Sequence, residues 1–148
     1  MNIKSLANQS QILASDPMNS TWVAANAGSG KTKVLIDRVT RLLLNNAAPQ
    51  HILCLTYTKA AASHMQNKLF ERLGTWSMVP DLDLREQLEN LGEDKINDKK
   101  LGQARRLFAR ALDTPGGLKN TNNTFILRFN IETLSNGGRS IAPFQRAR

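Results

Sequence analysis

Apolar positions along this chain change their period several times, and each change marks the edge of an element. Thr21-Trp22-Val23-Ala24-Ala25 reads as a short buried strand, bounded by a Gly-rich turn at Gly28 to Gly30. From Lys31 the spacing lengthens. Val34, Leu35, Val39, Leu42 and Leu43 recur at three- and four-residue steps, one face of a helix ending near Asn45-Asn46. Pro49 marks the loop that follows. Ile52-Leu53-Cys54-Leu55-Thr56-Tyr57 is a second run, apolar enough to be buried on both faces, which suits a parallel sheet. Thr58 then begins an alanine-rich stretch in which Ala61, Met65, Leu69 and Leu73 keep helical spacing. The order strand, loop, helix, strand, helix predicts an α/β core over residues 20–75, a parallel sheet with flanking helices.

Residues 1–19 form a polar N-terminal segment that closes on the turn signal Ser15-Asp16-Pro17. Past Gly74 the pattern predicts a mostly helical stretch over 76–118. Trp76 to Pro80 reads as a connector, Asp81 to Leu91 as a short helix with Leu84, Leu88 and Leu91 inward, and Gly92 to Lys100 as a charged loop. Leu101 to Leu112 reads as a basic helix with Leu101, Ala104, Leu107, Phe108, Ala111 and Leu112 on one side, stopped by Pro115-Gly116-Gly117. Residues 119–148 are a basic tail without clear periodicity, for which disorder is one expectation.

Composition narrows the class. The chain has 148 residues, 41% hydrophobic and 22% charged, so it is neither low-complexity nor too polar to bury a core. Its net charge of +8 suits a polyanionic partner. Residues 116–148 carry five basic side chains against one acidic, which is half of that excess. Cys54 is the one cysteine, so no internal disulfide forms and a reducing compartment fits. The apolar runs are too short to span a bilayer, and Met1 to Ser20 lacks the apolar region of a secretory signal. The expectation is a cytoplasmic protein with no membrane partner.

The strongest chemical signal is Ala25-Asn26-Ala27-Gly28-Ser29-Gly30-Lys31-Thr32, between an expected strand and an expected helix, the context of a Walker A phosphate loop. Gly28 and Gly30 allow the tight backbone such a loop requires. Its N–H groups make an anion nest at the helix N-terminus. Lys31 supplies charge to the β- and γ-phosphates, and the Thr32 hydroxyl is placed to ligate Mg²⁺. The strict motif has Gly where this chain has Ala25, a position at the strand end that tolerates a methyl group. The plain alternative is a Gly-Ser turn before a solvated lysine. The context favours a P-loop NTPase of RecA-like architecture.

The second apolar run distinguishes among such machines. Ile52-Leu53-Cys54-Leu55-Thr56-Tyr57-Thr58-Lys59-Ala60-Ala61-Ala62 resembles motif Ia of the UvrD-like superfamily 1 DNA helicases. With Ser15-Asp16-Pro17, the phosphate loop, Arg38-Val39 and Ala104-Arg105-Arg106-Leu107-Phe108, the chain is similar to the start of the AddA-type helicases of double-strand-break repair, from Gln11 to Lys119. The resemblance implies that Gln11 reads adenine, so that the nucleotide is ATP with Mg²⁺. It also implies that Arg38 belongs with the nucleotide-site residues and that Thr56, Tyr57, Thr58 and Lys59 contact single-stranded DNA. Hydroxyls and a lysine at a strand's C-terminal end suit phosphate contact, and Tyr57 could stack on a base. By residue type alone, Thr58 could equally cap the next helix and Lys59 face solvent.

Departures from the family are informative too. His64 stands where the family usually has Glu, and after Lys119 the family's Thr-Ile-His block is replaced by Asn120-Thr121-Asn122-Asn123-Thr124-Phe125. No Asp-Glu pair follows an apolar strand. The chain therefore reads as a truncated N-terminal part of a DNA helicase that binds ATP without hydrolysing it or unwinding DNA. Single- or double-stranded DNA and a separately encoded remainder are its expected partners. The alternatives are a non-catalytic nucleotide- or DNA-binding module and an inert remnant of a disrupted gene.

Overall fold

A computed structural model describes residues 3–24, 28, 30–56 and 58–113. Within them lie five α-helices: α1 (Ile3–Ala14), α2 (Lys31–Leu44), α3 (Lys59–Met78), α4 (Asp81–Asn90) and α5 (Asp98–Asp113), with a short 3₁₀ turn at Pro49–His51. The pattern-based expectations for α2 and α4 hold closely. In α2 the buried face includes Val34, Val39 and Leu43, and in α4 it is Leu84 and Leu88. The expected stop at Pro115-Gly116-Gly117 and the basic tail lie outside the described residues.

The parallel α/β sheet is not there. Among the described residues there is no strand, only a single bridge position at Leu53, and the structure is helical. Segment 51–56 is a one-sided liner, not a strand buried on both faces. Ile52 and Cys54 turn into the core, whereas Leu53 is 59% and Leu55 63% exposed. Trp22, expected inside a strand, is 93% exposed. The physical reason is that an apolar run specifies an extended backbone but cannot supply the neighbour whose N–H and C=O groups complete a ladder. Here the apolar side is covered by helices instead.

Two helices are longer than their periodicity suggested. α3 continues through Gly74 and Trp76, residues expected to end it and to begin a connector, because both are needed in the helix packing. Gly74 lets the ring of Phe108 approach to 3.7 Å of where a Cβ would stand, and Phe70 meets that ring edge-on at 6.3 Å. The Trp76 indole is buried and its Nε1 donates to Gln87 Oε1 at 2.9 Å. The helix stops only where Val79 turns extended ahead of Pro80. α5 begins three residues before Leu101, since Asn97 Oδ1 accepts from the Lys100 backbone N–H at 2.9 Å and caps it. Leu112, expected on its inner side, is 37% exposed.

α3 and α5 form the central pairing. Leu69, Leu73 and Trp76 of the first bury against Leu101, Ala104 and Leu107 of the second, and Leu84 and Leu88 of α4 close the cluster. Cys54 sits in this core with burial pushing its thiol up to about 11. The thiol should therefore resist a disulfide reagent at pH 8 in the folded chain and react rapidly in denaturant, since thiolate and access are both needed. Rapid labelling of native protein would contradict this packing.

Candidate functional site

α2 starts from Gly30, whose φ of +88° is left-handed, and Gly28 shares that conformation at φ +80°. Only glycine adopts this geometry without strain. Ala25, Asn26, Ala27 and Ser29 of the same loop lie outside the described residues. Lys31 and Thr32 are the first two residues of α2 and are exposed at its mouth. Two lysines, Lys31 and Lys33, thus occupy a first turn that contains no acid. This opposes the helix dipole, which favours anions there. α4 and α5 obey the rule, with Asp81, Asp83 and Asp98 in their first turns. The donor set fits a phosphate group with Mg²⁺ held partly by Thr32. Among the described residues no His, Cys, Asp and Glu cluster could hold a metal by itself.

Gln11 lies on the last turn of α1, half-buried, with Nε2 3.0 Å from where a Cβ on Gly30 would stand. The fold thus brings Gln11, Gly30, Lys31 and Thr32 together, although Gln11 belongs to a different helix from the others.

Two arginines on α2 hold this arrangement. Arg38, grouped with the nucleotide contacts by resemblance, donates Nη1 to Asp16 O and Nη2 to Asn19 O, both at 2.6 Å. Its forked donors are spent on the loop that follows α1. Three residues on, Arg41 donates Nη1 to Ile12 O at 3.0 Å and reaches Ser15 Oγ at 3.3 Å and Glu93 Oε1 at 3.3 Å. The sequence pattern did not single out Arg41 or Glu93, and it marked Ser15 only as part of a turn. The signal available was the Arg38/Arg41 spacing, which puts both side chains on one helix face.

Asp37 anchors the other side of α2. Its carboxylate is nearly inaccessible and accepts from Lys33 Nζ at 2.8 Å and Arg72 Nη1 at 2.6 Å, tying α2 to α3. Beside it, an open groove of about 420 Å³ runs from Thr32 between the two helices, lined by Lys33, His64, Lys68 and Arg72. Of the expected DNA-contacting residues, Tyr57 is outside the described set and Thr56 is half-buried. Thr58 caps α3, its Oγ1 accepting from the Ala61 N–H at 3.1 Å, and Lys59 is exposed next to it.

Asp16 organises the loop that Arg38 holds. Its carboxyl lies below the usual carboxylate range, chiefly because the Met18 N–H donates to it, with Asn19 Nδ2 adding a second bond. A folded-state value below the unfolded one contributes stability above the ordinary ~3.9 that is lost as pH falls through the lower folded value. Thermal unfolding followed from pH 5 to 2 should show an acid-side loss that Asp16→Asn makes smaller.

A profile of the UvrD/REP helicase N-terminal domain matches residues 6–136. Among curated relatives, an ATP-dependent helicase/nuclease of Oenococcus oeni is 44% identical over 66 residues, covering 45% of this chain and 6% of its own length. The protein of the same name from Lactobacillus helveticus is 38% identical over 78 residues, 51% of this chain and 6% of its own. DNA helicase II of Escherichia coli is 34% identical over 74 residues, 49% of this chain and 10% of its own. This chain therefore spans a tenth or less of the length of these relatives. No solved structure matches it significantly. With the family profile running from residue 6 to residue 136, the chain belongs to the family of the UvrD/REP helicase N-terminal domain.

Proposed function

We propose that this chain is the ATP-binding N-terminal part of a UvrD-like DNA helicase, with residues 25–32 as its phosphate loop. The observation that supports this best is the pair of left-handed glycines opening directly into a helix whose first turn is basic. Backbone N–H groups and the helix dipole favour an anion there, and two lysines add fixed charge where a structural helix would carry acids. Relatives named as ATP-dependent helicases agree with that chemistry.

The roles follow from the chemistry of each group. Lys31 neutralises the β- and γ-phosphates, and the Thr32 hydroxyl ligates Mg²⁺. Gln11, with an amide that both donates and accepts, reads the adenine edge and selects ATP over GTP. Arg38 serves by holding the 16–19 loop, since its donors already engage two carbonyls. Mg²⁺, held in part by the Thr32 hydroxyl, would offset the charge of the phosphates. Thr56, Tyr57, Thr58 and Lys59 contact the backbone of single-stranded DNA. The Thr58 hydroxyl can cap α3 and still donate its own proton to a phosphate oxygen.

Binding is not turnover. Hydrolysis needs an acid to hold the metal, a positioned water and an arginine worth about 10³ to 10⁵ in rate. These 148 residues contain no Asp-Glu pair after an apolar run. We therefore expect ATP binding by the purified chain without steady hydrolysis.

Equilibrium titration with a fluorescent ATP analogue should show Mg²⁺-dependent binding that Lys31→Ala abolishes. Steady hydrolysis that disappears in the same variant would overturn the non-catalytic reading. For DNA, Lys59→Ala should weaken single-strand binding regardless of sequence and reduce the log-log salt slope by about 0.7. An unchanged slope would remove Lys59 from the interface.

A further inference from the structure

The turn between α4 and α5 lies far from the phosphate loop in sequence, yet it packs on the residue next to Gln11. Gly92 has φ +86°, and a Cβ there would collide with Ile12 Cγ2. Glycine is required twice at this position, for conformation and for contact. Its neighbour Glu93 is buried, with its carboxylate between Arg41 of α2 and Lys100 of α5.

Arg41 is the common partner. It joins Glu93 to Ile12 O, and through Ser15 Oγ to the final turn of α1, where the Ser15 N–H donates to Gln11 O at 2.9 Å. Ile12 O lies in the last turn of α1, where helix carbonyls run out of N–H partners, and Arg41 and Ser15 Oγ both donate to it. Each link is a hydrogen bond to a charged group or within one helical turn, so displacement at Glu93 is passed on to Gln11.

We propose that Arg41 and Glu93 are positioning residues for base recognition: the pair transmits the placement of the α4–α5 turn to Gln11 and so sets the preference for ATP. This rests on the nucleotide-binding reading of the loop. Neither residue belongs to the glycine turn or to the first turn of α2. Its effect is confined to the base, because the glycines, Lys31 and Thr32 are set by the start of α2 and not by α1.

The test uses the full chain and three probes with Mg²⁺: ATP, GTP and inorganic tripolyphosphate. Glu93→Gln should lower ATP affinity about tenfold, within the usual range of coupling between sites, narrow the gap to GTP, and leave tripolyphosphate binding unchanged. Gln11→Ala should do the same, and the double variant should be no worse than either single one, as expected for one chain of contacts. Arg41→Lys, which keeps the charge but loses the forked geometry, gives the same readout if Glu93→Gln fails to fold by circular dichroism. Losses that add, or that fall equally on tripolyphosphate, overturn the positioning role and leave nucleotide binding standing. A wild-type chain that binds no tripolyphosphate overturns both.

Discussion

The last carbonyls of a helix have no partner within it, and in this small helical assembly neighbouring helices supply several of them. Arg41 of α2 takes Ile12 O of α1. Gln103 of α5 takes Leu44 O of α2. Arg105 of α5 takes Trp76 O, Ser77 O and Val79 O at the end of α3, at 3.3, 3.4 and 2.7 Å. α4 finishes by local bonds instead, through Gly92 and Glu93 N–H groups that return to Glu89 O and Leu88 O. Long polar side chains capping across elements fix where each helix stops relative to the next. Apolar packing alone, being non-directional, would not.

That constraint explains why the candidate site is assembled from distant parts. Leu13 in the last turn of α1 is 72% exposed, and the polar contacts at that end come from arginines of α2. Arg38 and Arg41 hold it by grasping backbone carbonyls, and Gln11 is thereby set beside Gly30. On the far side of α2, Asp37 performs the matching task toward α3 through Arg72. α2 is thus braced on two faces. The basic first turn of α2 works against its own helix dipole, so the contacts farther along are what hold the helix in place.

Legibility in the sequence followed locality. The helical period of Val34 to Leu43 and of Leu84 to Leu91 marked α2 and α4, and the glycine-lysine-threonine run marked the loop. α1 was harder to read. Ile3, Leu6 and Leu13 recur at helical steps, but polar residues stand between them, and the carbonyl contacts that hold the helix to α2 have no sequence period. The end of α3 was misjudged at Gly74, where glycine usually weakens a helix. Here the missing side chain is filled by Phe108 of another helix. Of the site, Gln11, Lys31 and Thr32 were legible as chemistry. Arg41, Glu93 and Asp37 were not, because a charged residue on an amphipathic helix looks solvated until its partner is known.

By itself the sequence determined family membership, the glycine turn at Gly28 and Gly30, and the helices whose period and caps are local. Tertiary structure alone decided the two apolar runs. Thr21 to Ala24 and Ile52 to Thr56 have the composition of strands, but a ladder is a relation between segments, and among the described residues none forms. Tertiary structure also decided which arginines are structural. Arg38 and Arg41 have the same charge and similar surroundings in sequence. Only the path of the chain shows that both hold backbone carbonyls, and that one of them also reaches Glu93, fifty-two residues away.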